Sequence, residues 1–140
     1  MTRKDALRTG GCLCGGVRYE VSGEMRPVVY CHCSQCRKTS GHFVAASACS
    51  IDDLKMIAEA SLRWFKSSSH AERGFCENCG GNLFWRPLDG RHISIMAGTI
   101  DSPTGVKAIA HIYTGDASDY HVFADDLPQY ADRGPADLET

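Results

Sequence analysis

The sequence predicts a single all-β domain held in part by bound metal. Three observations carry this. Short apolar runs recur along the chain, several in two-residue alternation, as strands with one buried face do. Helix signals are weak and confined to two short stretches. Seven of the eight cysteines fall into three tight clusters: Cys12-Leu13-Cys14, Cys31-His32-Cys33-Ser34-Gln35-Cys36 and Cys76-Glu77-Asn78-Cys79. At 140 residues the chain is the size of one domain. A metal staple would add stability to a core of this size.

The elements follow in order. Val17, Tyr19 and Val21 alternate with Arg18 and Glu20, which predicts a strand. Val28-Val29-Tyr30 predicts a second strand leading into the middle cysteine cluster. A short helix is expected from Ser34 to Thr39, stopped by Gly41. Phe43-Val44-Ala45-Ala46 predicts the next strand. A single turn follows at Ser50-Ile51-Asp52-Asp53, with Ser50 as its cap. Further strands are expected at Leu54–Ile57, Leu62–Phe65, Leu83–Trp85, Ile93–Met96, Ile109–Tyr113 and Tyr120–Phe123. That makes about nine, most bounded by Gly, Pro, Ser or Asp. There is no internal repeat or linker. Residues 131–140 are polar and include Gly134-Pro135, which predicts a flexible C-terminal tail.

Charge and hydropathy exclude several classes of partner. The net charge of -2 offers no footprint for nucleic acid. No apolar run approaches the length of a membrane span. Met1-Thr2-Arg3-Lys4-Asp5 carries basic residues with no apolar stretch after it, so no secretory signal is expected. A cytoplasmic, reducing setting is the expectation, and there clustered cysteines read as metal ligands rather than disulfides. An exposed strand edge would be the route to a homodimer.

The cysteine count points to two kinds of site. A closed structural zinc site takes four thiolates, whereas three protein ligands and an open position mark a site that meets a substrate. In an extended segment, Cys12 and Cys14 project from the same face, so both can reach one ion at about 2.3 Å. Cys76-x-x-Cys79-Gly80-Gly81 has the form of a zinc knuckle, whose glycines let amide N–H groups point at sulfur. These four are expected to hold a structural Zn²⁺. Cys31, Cys33 and Cys36 are then left for a second Zn²⁺ with an open position. A thiol bound there would be deprotonated from its free pKa of about 8.5 and become a nucleophile. Two other arrangements share the spacing: one four-cysteine site with three spare thiols, or Cys31 or Cys33 joined to Cys76 and Cys79. Cys49, in the small-residue run Ala45–Cys49, reads as a buried core thiol.

The remaining polar residues are less specific. His32 lies between two ligands and should point away from their metal. His42 and His111 are candidates for the pocket wall, although an ordinary surface or core role is the simpler reading of each. Arg37 and Lys38 follow the last ligand of the open site. They are candidates to bind the carboxylates of a thiol cosubstrate, or to offset the thiolate charge. Trp64 and Trp85 read as core residues.

The whole pattern resembles the glutathione-dependent formaldehyde-activating enzyme family, whose domain is shared with centromere protein V. Three stretches carry the resemblance: Gly10-Gly11-Cys12-Leu13-Cys14-Gly15-Gly16-Val17-Arg18-Tyr19, Cys31–Gly41 and Phe75–Gly80. Ala97–Asp101, His111–Tyr113 and Asp126–Tyr130 support it. It covers residues 9–130, which marks that span as the domain. The resemblance implies a β-tent, layered antiparallel sheets with zinc at the cysteine motifs. It implies the same four-plus-three division of ligands, with the catalytic zinc on Cys31, Cys33 and Cys36. It also implies a carbon–sulfur lyase activity, the condensation of formaldehyde with glutathione to S-hydroxymethylglutathione. The partners would be a small thiol and a small electrophile. The rival reading is a non-catalytic, zinc-stabilised interaction module. A basic extension or partner-binding arm would favour that reading, and the sequence carries neither. A redox or metal-buffer protein is a third reading.

Overall fold

Residues 7–138 are described by the computed structural model. Three strands form a small antiparallel sheet: β1 (Arg8–Gly11), β2 (Arg18–Val21) and β5 (Leu54–Ala58), in the order β1-β2-β5. The remaining strands are β3 (Val28–Cys31), β4 (Val44–Ser50), β6 (Leu62–Lys66), β7 (Ala71–Cys76), β8 (Asn82–Pro87), β9 (His92–Met96) and β10 (Ala108–Ile112). They form a second sheet in the order β10-β3-β4-β9-β8-β7-β6. Neighbours pair antiparallel except β10 with β3, which run parallel and place Ile112 beside Cys31. The all-β expectation holds, with this one parallel edge as its exception.

Local signals explain the turns. The helix α1 (Ser34–Ser40) starts where the Cys33 sulfur accepts from the Cys36 amide. It ends at Gly41, whose left-handed φ of 80° lets its N–H reach the Arg37 carbonyl. Ser50 caps a single turn of 3₁₀ helix at Ile51–Asp53 by accepting from the Asp52 amide.

Two buried clusters cover the large sheet. Val17, Tyr19 and Val21 meet Leu83, Phe84, Ile93 and Ile95 in the first. Each such aliphatic or aromatic side chain contributes about 1.5–3 kcal/mol by leaving water. The Tyr19 hydroxyl is satisfied by Thr99 Oγ1 at 2.8 Å. Val29, Cys31, Cys36, Val44, Ala46 and Ile112 belong to the second cluster. The central strand β9 serves both sides of the sheet. Ile93 and Ile95 enter the first cluster, while Ser94 and Met96 turn to the other face.

Two sequence expectations change. Tyr120–Phe123 is an irregular loop, not a strand. The edge of β10 is already taken, because the His111 amide donates to the Pro128 carbonyl and the Tyr130 amide to the His111 carbonyl. His121 and Phe123 instead turn their rings onto His32. Of residues 131–140, expected to form a flexible tail, 139 and 140 lie outside the described residues, and the others contact the domain. The Tyr113 amide donates to the Asp132 carbonyl at 2.8 Å, and Leu138 is buried in the second cluster. Its carbonyl accepts from Arg26 Nη1 at 3.3 Å.

Candidate functional site

The structure gathers the seven clustered cysteines into two groups, Cys12 with Cys14, Cys76 and Cys79, and Cys31 with Cys33 and Cys36. In each, the sulfurs lie within 4.8 Å of one another, and either group could hold a metal ion. All eight cysteines are free thiols.

The four-cysteine group joins the β1–β2 turn to the β7–β8 turn. Cys14 Sγ lies 3.6 Å from both Cys12 Sγ and Cys76 Sγ. Four sulfurs at about 2.3 Å around a tetrahedral ion would stand about 3.8 Å apart, so the donor set fits with little adjustment. Backbone amides already aim at these sulfurs: Val17 N donates to Cys12 at 3.3 Å and Gly16 N to Cys14 at 3.4 Å. The Cys76 thiol is lowered to about 6, chiefly by the Ser61 hydroxyl, then by the Cys79 and Asn78 amides. Gly80 adopts a φ of 75° and donates to the Cys76 carbonyl at 2.8 Å, which closes the knuckle.

The three-cysteine group lies at the end of β3 and the start of α1. Cys36 Sγ is 3.2 Å from Cys31 Sγ. Among the three thiols, Cys33 is the one whose ionised form the surroundings favour. Hydrogen bonds from Cys31 and Cys36 push that thiol down to about 2, helped by the Cys36 amide and the Arg73 charge. The same bonds, with burial, push Cys31 up. A group of three soft donors without a fourth suits an ion that keeps one position open.

All three of these cysteines line a cavity of about 460 Å³, within the range of a small-molecule site. Its apolar wall includes Val44, Ala46, Met96 and Trp85. None of the four-cysteine group lines it. Tyr113, also in the wall, holds a φ of 54°. That is an outlying conformation for a bulky residue, of the kind concentrated at functional sites.

Arg133 also lines this cavity, but Arg73 is its buried cation. It is only 5% exposed, and its Nη2 lies 3.8 Å from Cys36 Sγ and 3.4 Å from Gln35 Oε1. Its Nε is buried with no hydrogen-bond partner. A buried guanidinium is costly without a counter-charge, and the thiolate group supplies one.

Several expected residues lie elsewhere. Arg37 and Lys38 are at the C-terminal end of α1 and do not line the cavity. Arg37 Nε donates to the Asp116 carbonyl at 2.9 Å, and Lys38 is exposed. His42 and His111 do not line it either. His111 points from β10 to the opposite side of the sheet, where it meets His32. Burial, then His111, His121 and His42, push His32 down to about 4. His70, which the sequence did not single out, stands in the cavity wall. Trp64 is half-buried with the Arg86 guanidinium 3.6 Å above its ring. Cys49 is a core thiol, as expected, raised to about 12 by burial and then Asp53.

Sequence alone did not reach Arg73. The run Ala71-Glu72-Arg73-Gly74 has no apolar alternation, and a bulge at Gly74/Phe75 breaks the period before Cys76. Only the pairing of β7 between β6 and β8 brings Arg73 across to the cysteines.

An all-β domain with one thiol tetrad away from the cavity and one thiol triad facing it defines a class of protein built around candidate metal centres. Within that class, the chain belongs to the glutathione-dependent formaldehyde-activating enzyme family, whose model matches residues 7–116. A Schizosaccharomyces pombe protein named an uncharacterized lyase is similar, 30% identical over 83 residues. That match covers 59% of this chain and 60% of the yeast protein, so the chain spans under two thirds of that relative. A Rhodobacter sphaeroides protein of known crystal structure shares the fold, with a TM-score of 0.56 and 23% identity. That match covers 71% of this chain and 97% of the other. No helix among the described residues is long and apolar enough to cross a membrane.

Proposed function

We propose that the chain is a zinc-dependent carbon–sulfur lyase-type enzyme. Its reaction would join a small thiol and a small carbonyl compound, as in the condensation of glutathione with formaldehyde. The observation that carries this reading is the cavity that holds Cys31, Cys33 and Cys36 together with buried Arg73. When bound there, zinc would supply an open position for a thiol and favour its ionised form.

The chain's own residues supply the rest. Cys31, Cys33 and Cys36 would hold the ion and give the site its negative charge. Arg73 offsets that charge, which would otherwise repel an incoming thiolate, and its Nε–H can donate to an anionic group of the substrate. Val44, Ala46, Met96 and Trp85 exclude water around the reacting atoms. The reaction is redox-neutral. A sulfur–carbon bond forms, the carbonyl π bond breaks, and the thiol proton ends on the new hydroxyl. His70, in the cavity wall, is the candidate to carry that proton. The four-cysteine group, away from the cavity, would hold the structural zinc. Free thiols throughout suit a reducing, cytoplasmic setting.

Zinc-edge absorption spectroscopy with added glutathione tests this reading, alongside magnetisation-exchange measurement of adduct formation. The expected result is a fourth sulfur at one of two zinc ions and exchange faster than in buffer. An unchanged zinc shell together with buffer-level exchange would overturn it.

A further inference from the structure

The face of the sheet opposite the cysteine triad carries a second set of ligating groups that the proposed reaction does not use. Residues alternate along β3 and β10, so Cys31 and Ile112 face the cavity side while Tyr30 and His111 face away. His32 and His111 are 1% and 2% exposed. His32 Nε2 lies 2.9 Å from His111 Nδ1. His121 comes from the irregular loop after β10. One nitrogen from each of the three rings lies within 4.8 Å of the other two. Phe43 and Phe123 pack around the rings, with centroids 4.9 and 5.1 Å from His32.

Aromatic packing explains the burial of these rings but not the direction of their nitrogens. His121 Nε2 is buried with no partner, a costly state for a polar atom unless something satisfies it. His111 is oriented from outside. Its Nε2–H donates to Asp125, 2.9 Å from Oδ2 and 3.1 Å from Oδ1. Asp125 is itself fixed by the Leu127 amide at 3.0 Å. That carboxylate leaves the Nδ1 lone pair of His111 directed inward. A carboxylate–histidine pair of this kind is the usual outer support of a metal-bound imidazole.

We propose that His32, His111 and His121 form a third metal site, a buried three-imidazole site for a late first-row divalent ion, set back to back with the cysteine triad. The donors are all nitrogen, which separates this site chemically from the two thiolate groups. Imidazole nitrogens suit Ni²⁺, Cu²⁺ and Zn²⁺, and Ni²⁺ is the probe that can be told apart from zinc on the thiols. On binding, His32 gives up its bond to His111 Nδ1 and carries its proton on Nδ1.

The test uses the full chain with its thiols first saturated with Zn²⁺, then titrated with Ni²⁺ by calorimetry. Zinc is counted separately, so a failure of the cysteine sites is not confused with a failure here. One Ni²⁺ per chain is expected, with a nickel-edge spectrum of imidazole nitrogen and oxygen and no sulfur. His121→Phe and Asp125→Asn should each weaken binding at least tenfold, while His70→Gln should not. Asp125 is partly exposed, so that variant decides if His121→Phe fails to fold. The proposal is overturned by absent Ni²⁺ binding, by sulfur in the nickel shell, or by wild-type affinity in the folded variants.

Discussion

The two cysteine groups use the same side chain in opposite ways. Cys14 and Cys76 meet across 62 positions of sequence, whereas Cys31 and Cys36 are five apart. An ion on the first group would cross-link distant parts of the chain and restrict the unfolded state. An ion on the second would close only a short loop and add little to the fold. The surroundings differ in the same sense. The tetrad is wrapped by backbone amides and Ser61. The triad opens onto a cavity beside a buried arginine. Long-range closure suits a structural role, and local closure leaves an ion free to exchange a ligand.

The strongest way to break this contrast is to remove one sulfur from each group. Cys79→Ser is expected to destabilise the fold by on the order of 5 kcal/mol or more. That is enough to abolish cooperative melting by circular dichroism in a marginally stable domain. Cys36→Ala should lose one zinc by native mass spectrometry and lower activity at least about 1,000-fold. It should keep a cooperative melt, at a stability cost of about 1–3 kcal/mol. Equal loss of folding in both variants would erase the distinction. Graded chelation gives the same comparison without mutation. Activity should disappear after the first zinc is removed, and the far-ultraviolet spectrum only after the second.

Arginine substitutions sharpen the contrast within the second group. Arg73→Met should weaken thiol binding and turnover by about 10–100-fold through loss of a charge-assisted contact. Arg37→Ala should stay within about twofold, because its partner is the Asp116 carbonyl outside the cavity. Steady-state kinetics on both decide which cation serves the site.

The smallest expected effect lies at the joint between the sheets. Arg18, and then Thr9, hold the Asp101 carboxyl below its ordinary value, with Arg18 Nη2 2.6 Å away. A carboxyl lowered in the folded state adds stability above its unfolded pKa of about 3.9. That contribution is lost as pH falls through the lower folded value. Wild type and Asp101→Asn should therefore differ slightly in urea midpoint at pH 7 and converge in strong acid. A constant gap across that range would show that the ion pair is not the cause. Because both groups are largely solvated, the difference shrinks further with added salt.

Much of this architecture was legible in the chain. The alternation of Val17, Tyr19 and Val21 marked β2, and Ser34–Thr39 before Gly41 marked α1, because these signals are local. Cysteine spacing marked the three local clusters for the same reason, since Cys-x-Cys and Cys-x-x-Cys restrict where sulfurs can point, but the joining of Cys12 and Cys14 to Cys76 and Cys79 needed the structure. Arg73 was not legible, since its strand lacks apolar alternation and its neighbour across the cavity is 37 positions away. The Tyr120–Phe123 strand was misread because its apolar pattern serves a cluster of rings instead of a sheet. The tail from Ala131 looked free because its anchors are carbonyls taken up by Tyr113 and Gly115.

The sequence by itself determined the all-β class, the family, and the three local cysteine clusters. All of these rest on short-range spacing and backbone period. Only the tertiary structure decided what faces each group. It placed Arg73 and a cavity beside Cys31, Cys33 and Cys36. It also turned His32 and His111 to the opposite side, where His121 meets them. Such neighbours are set by strand order and register, which join residues far apart in the chain.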